Sequence, residues 1–228
     1  MNISIIIPVY NEEAHIGKLV VYLIENSGNL VIEIIVADGG STDNTIALAR
    51  KAGALAVISP VKGRSSQMNY GASLATGAIL YFVHADTFPP KNYTRDILEA
   101  VAEGYSLGRY RTRFLPTKKL LRINEWFTRF DLFICMGGDQ TLFIKKELFE
   151  SLGGFNSDMK LMEEYDFCAR ARVRGKYKIM NDAALVSARK FEKNTWLQVQ
   201  MANYKVVRLY KKGAPQQTLV ETYRRMLK

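Results

Sequence analysis

The run ILYFVHADTF (residues 79–88) is apolar until it breaks at His84-Ala85-Asp86. A carboxylate at the tip of a strand can hold a divalent cation through a hard oxygen donor. Two more apolar runs end in a similar way. ISIIIPV (3–9) delivers Pro8 and then Tyr10 and Glu12, and IEIIVAD (32–38) closes on Asp38 before Gly39-Gly40. Polar or conformationally special residues at three such ends are the first sign of a site. Farther on, MEEYDFCAR opens a helix with Glu163, Glu164 and Asp166. Residues two apart on a helix do not share a face, so Glu164 and Asp166 cannot both serve one site. The chain holds only two histidines, His15 and His84. His84 stands beside the strand-tip acid, whereas His15, next to Ile16, reads as structural.

The elements that must carry these residues follow from the apolar pattern. Near-continuous β-branched runs read as buried strands over 3–9 and 32–38, and further strands are expected over 54–60 and 78–86. Helices are expected over 10–26, from the GGSTD turn to Gly53, and over 65–76, with Ser41 or Asp43 as cap of the second. Strand–helix alternation of this kind builds a parallel sheet with right-handed crossovers. Ligands then bind beyond the carboxyl ends of the strands, where the polar residues lie. After Pro90 the pattern changes to a helix over 91–103, an alternating strand in YSLGRYRTRF, and a long amphipathic aromatic stretch over 117–136. A turn, short strand and short helix follow over 137–155, then a helix over 162–175 and two helices from Trp196 parted at Gly213-Ala214-Pro215. One continuous domain is expected over 1–228: a nucleotide-binding half (1–90), an acceptor and catalytic half (91–190) and a helical extension (191–228).

Charge is uneven. The 228 residues carry 32 Lys+Arg against 22 Asp+Glu, a net of +10, and 48% are hydrophobic. Residues 1–114 hold 10 basic and 10 acidic side chains, so the whole excess lies in 115–228, with 22 against 12. That half should meet anions such as phosphates or lipid headgroups. Cys135 and Cys168 make no disulfide framework, so a reducing cytoplasm is expected. No apolar run approaches the ~20 residues of a membrane span.

Six motifs occur in order: SIIIPVYNEE, EIIVADGGSTDNT, GRSSQMNYGASLATGAILYFVHAD, GGDQTLFIKK, LGGF and MEEYDFCAR. Together they resemble the family 2 glycosyltransferases of the GT-A fold, in a short bacterial branch. The resemblance implies an α/β fold with a mostly parallel central sheet flanked by helices. It also implies inverting sugar transfer from a nucleotide-sugar, UDP-sugar favoured, to a hydroxyl acceptor, with Mg2+ or Mn2+. By the same resemblance Asp38 reads the nucleobase, although the family's usual second Asp is here Gly39. Pro8 and Tyr10 line the base pocket. Glu12 faces ribose or base, or is a helix N-terminal acid. Arg64 meets phosphate or orients the base. His84-Ala85-Asp86 stands at the family's Asp-x-Asp, with Asp86 as metal ligand and His84 supporting ribose or a metal-bound water. Glu164 takes the position of the catalytic base, with Glu163 as support and Asp166 as rival. Asp139 and Gln140 are implied to touch acceptor or sugar hydroxyls, and Arg189-Lys190 the leaving diphosphate. With no histidine after His84, protein ligation of the metal rests largely on Asp86, completed by diphosphate oxygens and water.

Other readings fit less well. A nucleotidyltransferase would want a glycine-rich, Arg-containing loop after the first strand, and a dinucleotide enzyme G-x-G-x-x-G there; PVYNEEAHIG is neither. A non-catalytic protein binding anions or nucleic acid leaves the acids at three loop positions unexplained, and no nucleic-acid partner is expected. Residues 195–213 and 118–133 mix bases with aromatics. On 195–213 the apolar side is Trp196, Val199, Val206 and Tyr210. Such helices suit peripheral attachment to an anionic membrane, at its inner face, with a lipid-linked acceptor. The alternative is that these faces pack on the sheet or form a homodimer contact.

Overall fold

A computed structural model describes residues 1–117, 119–132 and 140–227. The first half follows the expected alternation: β1 (Ile3–Val9), α1 (Ile16–Glu25), β2 (Val31–Asp38), α2 (Thr45–Lys51), β3 (Leu55–Ile58), α3 (Arg64–Leu74) and β4 (Ile79–Phe82). Then come β5 (Thr87–Phe88), α4 (Tyr93–Ala102), β6 (Leu107–Leu115), α5 (Leu121–Phe127), β7 (Leu142–Lys145), α6 (Lys146–Ser151), α7 (Glu163–Arg174) and β8 (Tyr177–Ser187). Three helices close the chain: α8 (Lys190–Lys193), α9 (Trp196–Lys211) and α10 (Gln216–Met226).

The strands form one eight-stranded sheet in the order β3-β2-β1-β4-β7-β6-β8-β5. Pairs β3–β2, β2–β1, β1–β4 and β6–β8 are parallel. Pairs β4–β7, β7–β6 and β8–β5 are antiparallel. The sheet is therefore parallel through its first four strands and mixed beyond. β1 is buried along its whole length, because α1 covers one face and α3 the other. The approach of α3 is close: a Cβ on Gly71 would stand 2.6 Å from Cγ2 of Ile6. That contact seats α3 against β1.

Several expectations need correction. Residues 10–15 are loop rather than helix. Asn11 adopts φ 53°, and the loop's backbone donors are taken by the β2–α2 loop. Ser41 Oγ accepts from Asn11 N at 2.8 Å, Thr45 Oγ1 from Glu12 N at 2.8 Å, and Asp43 Oδ2 from Glu13 N at 3.2 Å. Ser41 thus ties two loops together; Asp43 does so as well, while its Oδ1 accepts from Thr45 N at 3.0 Å at the start of α2, where Asn44 in the N-cap position makes no side-chain cap. The strand expected over 78–86 ends at Phe82, and His84 to Thr87 form a turn closed by Thr87 N donating to His84 O at 3.0 Å. The amphipathic stretch 117–136 yields only the seven-residue α5 among its described residues. β8 was not anticipated. Its centre, Asn181-Asp182, reads as a turn, but it lies where the β6–β8 register shifts between Arg109 and Arg111, so a bulge absorbs it.

The C-terminal helices are built into the fold. A capping box between Thr195 and Gln198 starts α9. Val206 of α9 and Leu219 of α10 form a buried cluster with Met159 and Met162, just before α7. The face of α9 expected to meet a membrane is therefore packed: Val199 and Val206 are buried, and Tyr210 joins that cluster. Trp196 packs against the cluster around Phe114 and Leu121. Among the described residues no helix is long and apolar enough to cross a membrane.

Candidate active site

Arg64, Glu163, Glu164 and Arg189 line a cleft together with residues of α9 and α10. Three charge groups tie its edge to the turns that follow β1 and β4. The first joins Arg64, at the start of α3, to Glu163, at the start of α7: Nε donates to Oε1 at 2.5 Å. The second joins His84 to Glu164, with Nε2 3.0 Å from Oε1. The third centres on Arg189. Its Nη1 and Nη2 donate to Glu12 at 2.9 and 2.6 Å, and its Nε lies 3.1 Å from Asp86 Oδ2. Seven candidate residues from five separate segments are thus brought together.

Local structure explains why Glu163 and Glu164 can sit inside. A helix N-terminus favours negative charge, and α7 opens with both acids. Met162 before them has φ 69°, an uncommon conformation for a side chain of that size. It is held there by the cluster with Val206 and Leu219. Glu163 is 1% exposed, and the second carboxylate oxygen of each acid is buried without a hydrogen-bond partner. Burial pushes the Glu164 carboxyl above its ordinary value, while the His84 ring and, more weakly, Arg64 pull it back. The arrangement is a desolvated carboxylate held by one ring nitrogen.

The remaining expected residues fall as follows. Tyr10 is 56% exposed just after β1, and Pro8 is buried in β1. Asp38 is fully buried. Its Oδ2 accepts from Gly40 N and Ser41 N at 2.8 Å each, and its Oδ1 accepts from the Ser41 hydroxyl. In this structure it shapes the turn rather than presenting a carboxylate to the cleft. Asp166 is not part of the constellation: it pairs with Arg170 at 2.9 Å and meets Tyr210. Lys190 lines the cleft, with its ammonium 5.0 Å from the Tyr223 ring centre. Gln140 is buried and shares a small cavity with Glu164. Asp139 lies outside the described residues.

The ring of His84 turns its Nε2 toward Glu164. The signal was available in two departures from the family pattern, His for an acid at 84 and the longer Glu at 164, which turn out to be partners. Gln67 was missed altogether. Its Nε2 donates to Val9 O at 2.7 Å and Ala37 O at 2.8 Å, clamping the ends of β1 and β2. A Cβ at position 39 would stand 3.1 Å from that amide, so Gln67 and Gly39 suit each other.

Asp86 offers a divalent cation a hard oxygen donor here. No group of three His, Cys, Asp or Glu side chains able to hold a metal occurs among the described residues. Asp86 at a strand-end turn still fits the way Mg2+ is commonly bound, through one or two carboxylates with phosphate oxygens and water completing the shell.

The family model for glycosyl transferase family 2 matches residues 4–162. The chain belongs to that family. Among family relatives, glucosyl-3-phosphoglycerate synthase of Mycolicibacterium smegmatis is 34% identical over 96 residues, 39% of this chain and 32% of its own. An uncharacterized glycosyltransferase of Haemophilus influenzae is 26% identical over 182 residues, 72% of this chain and 60% of its own. The chain spans between 30% and 60% of the length of the curated relatives it matches. Staphylococcus aureus TarS 1–349 with UDP superposes with TM-score 0.70 at 16% identity, covering 98% of this chain and 70% of that one. Glucosyl-3-phosphoglycerate synthase of Mycobacterium tuberculosis, bound to Mn2+, UDP and glucosyl-3-phosphoglycerate, gives 0.64 at 20% identity, covering 94% and 81%. At these identities the likeness shows the fold, which is the GT-A arrangement of the family.

Proposed function

We propose that this chain transfers a sugar from a nucleotide-sugar, UDP-sugar favoured, to a hydroxyl acceptor with inversion at the anomeric carbon. The observation that carries the reading is the buried Glu164 carboxylate held at 3.0 Å by His84, two residues before the Asp86 that Arg189 meets at 3.1 Å. Inversion in one displacement needs one base on the acceptor side. Glu164 takes the acceptor proton at Oε1 or Oε2 as the new bond forms, a contribution typically worth about 10²–10⁴-fold. His84 holds that carboxylate in place, and Arg64 keeps Glu163 neutralised beside it. Arg189 offers its guanidinium to the diphosphate, exchanging Glu12 and Asp86 for phosphate oxygens of the same planar geometry. Tyr10 offers a ring for the base to lie on. Asp86 would hold Mg2+ or Mn2+, which when bound neutralises charge on the departing diphosphate.

UDP and Mn2+ in the Mycobacterium tuberculosis structure, and UDP in TarS, support the donor and metal by analogy of fold. A lipid-linked acceptor met at the inner face of an anionic membrane also belongs to this reading. It is supported by the basic excess in residues 115–228. The test of the donor is a thermal-shift screen of UDP-, GDP- and dTDP-sugars with Mn2+ and with EDTA. Ligands that bind only the native state raise its stability by mass action. UDP-sugars should give the largest shift, dependent on the metal; a metal-independent shift, or a preference for GDP, counts against the reading.

A further inference from the structure

Beside the cleft lies a second cavity of about 440 Å3, between β6 and α5 on one side and α8 and α9 on the other. Its wall is mostly apolar and aromatic: Phe114, Ile123 and Phe127 face Phe191, Trp196 and Val199. The indole N–H of Trp196 is already spent on Asn124 Oδ1 at 2.7 Å. Ligand sites of this size are typically apolar with a few placed polar groups, and here those groups stand toward the base. Tyr165, next in sequence to Glu164, lines this cavity, the nucleotide cleft and the small chamber that Gln140 shares with Glu164. Lys190 lines both larger spaces.

The mouth is apolar as well. Leu120, Ile123 and Phe127 follow one side of α5, and Leu197, Met201 and Tyr204 one side of α9; all six are between 45% and 60% exposed. Ile123, Phe127 and Tyr204 also line the cavity, so the two stripes meet at its entrance. Exposed Arg122, Arg129, Lys205 and Arg208 flank them, and α9 contains no acidic residue. A wide exposed apolar patch edged by bases suits an amphiphile drawn from an anionic lipid surface.

We infer that this cavity binds the apolar body of the acceptor, a hydroxyl-bearing lipid whose hydroxyl reaches Glu164 past Gln140 and Tyr165. The inference rests on the transferase reading. The acceptor oxygen bonds to the anomeric carbon and its proton passes to Glu164. The bond from that carbon to the diphosphate oxygen breaks, and its electron pair leaves with the nucleoside diphosphate.

Farnesol, an isoprenoid alcohol, serves as probe, with 3-phosphoglycerate as a polar competitor, each measured by equilibrium dialysis against the full chain with UDP and Mn2+. Farnesol should bind. Phe127→Asp, a half-exposed position at the mouth, should weaken it at least tenfold while leaving UDP binding unchanged. Equal farnesol binding to Phe127→Asp, or binding of 3-phosphoglycerate but not farnesol, with UDP binding intact, overturns the inference and spares the transferase reading. Failure of the wild-type chain to bind UDP overturns both.

Discussion

Replacing His84 by alanine removes the hydrogen bond that it makes to Glu164. Oε1 loses a nitrogen at 3.0 Å, and Oε2 is already buried without a partner. A hydrogen bond to a charged group in such a place is worth about 1.5–3 kcal/mol. Because His84 pulls the Glu164 carboxyl down against burial, its loss lets burial dominate and favours the protonated, inactive form. At ~1.36 kcal/mol per decade, kcat/KM should fall roughly ten- to hundredfold at neutral pH. The acid limb of its pH profile should move to higher pH, so that part of the loss returns in alkali. UDP affinity in Mn2+ should change little. His84→Asp should be worse than alanine even though it restores the family's acidic pattern, because two carboxylates would then face each other. The assay is UDP release from a UDP-sugar, with water as acceptor if need be, across the neutral range. A loss of the same size at every pH, or one cured by more Mn2+, would refute the reasoning and make His84 a metal or nucleotide ligand.

Glu164→Gln should cost about 10²–10⁴-fold in transfer while UDP binding is retained. It should also stabilise the fold at neutral pH. The folded-state carboxyl of Glu164 is raised, so native stability is fully present below the unfolded value, about 4.3, and is lost as pH rises through the folded one. The gain in Tm should therefore vanish in acid, and thermal melts of both proteins at several pH values check this. Gly71→Ala should lower stability by about 1–3 kcal/mol, since its Cβ would meet Ile6 at 2.6 Å; urea unfolding reads the change. Leu197→Glu with Met201→Glu should reduce flotation with anionic liposomes at low salt, and flotation as strong as wild type would remove the membrane from the account.

What could be read in the sequence was what local pattern determines. β1 and β2 announce themselves as near-continuous β-branched runs because both faces are covered. Helix geometry alone said that Glu164 and Asp166 could not both serve one site, and the family resemblance chose Glu164; in the fold Asp166 points elsewhere, to Arg170. What could not be read was set by long-range partners. Nothing near Asn11 tells that its loop will be held open by side chains 30 residues away, or that Asn181-Asp182 will sit in a bulge of a strand. His84 and Glu164 are 80 residues apart, and each looks like a lone departure from the family pattern until the fold pairs them. The apolar side of α9 misled for the same reason: Val199 and Val206 pack inward, while Leu197, Met201 and Tyr204 stay outside.

The central claim is that Asp86 and Arg189 hold a metal-bound nucleoside diphosphate within reach of Glu164. Calorimetric titration of UDP in Mn2+ and in EDTA, on the wild type and Asp86→Ala, tests it most directly. The account predicts that Mn2+ tightens UDP binding to the wild type and that Asp86→Ala abolishes the increment. A Mn2+ increment that survives in Asp86→Ala, or no binding of UDP to the wild type, would contradict it.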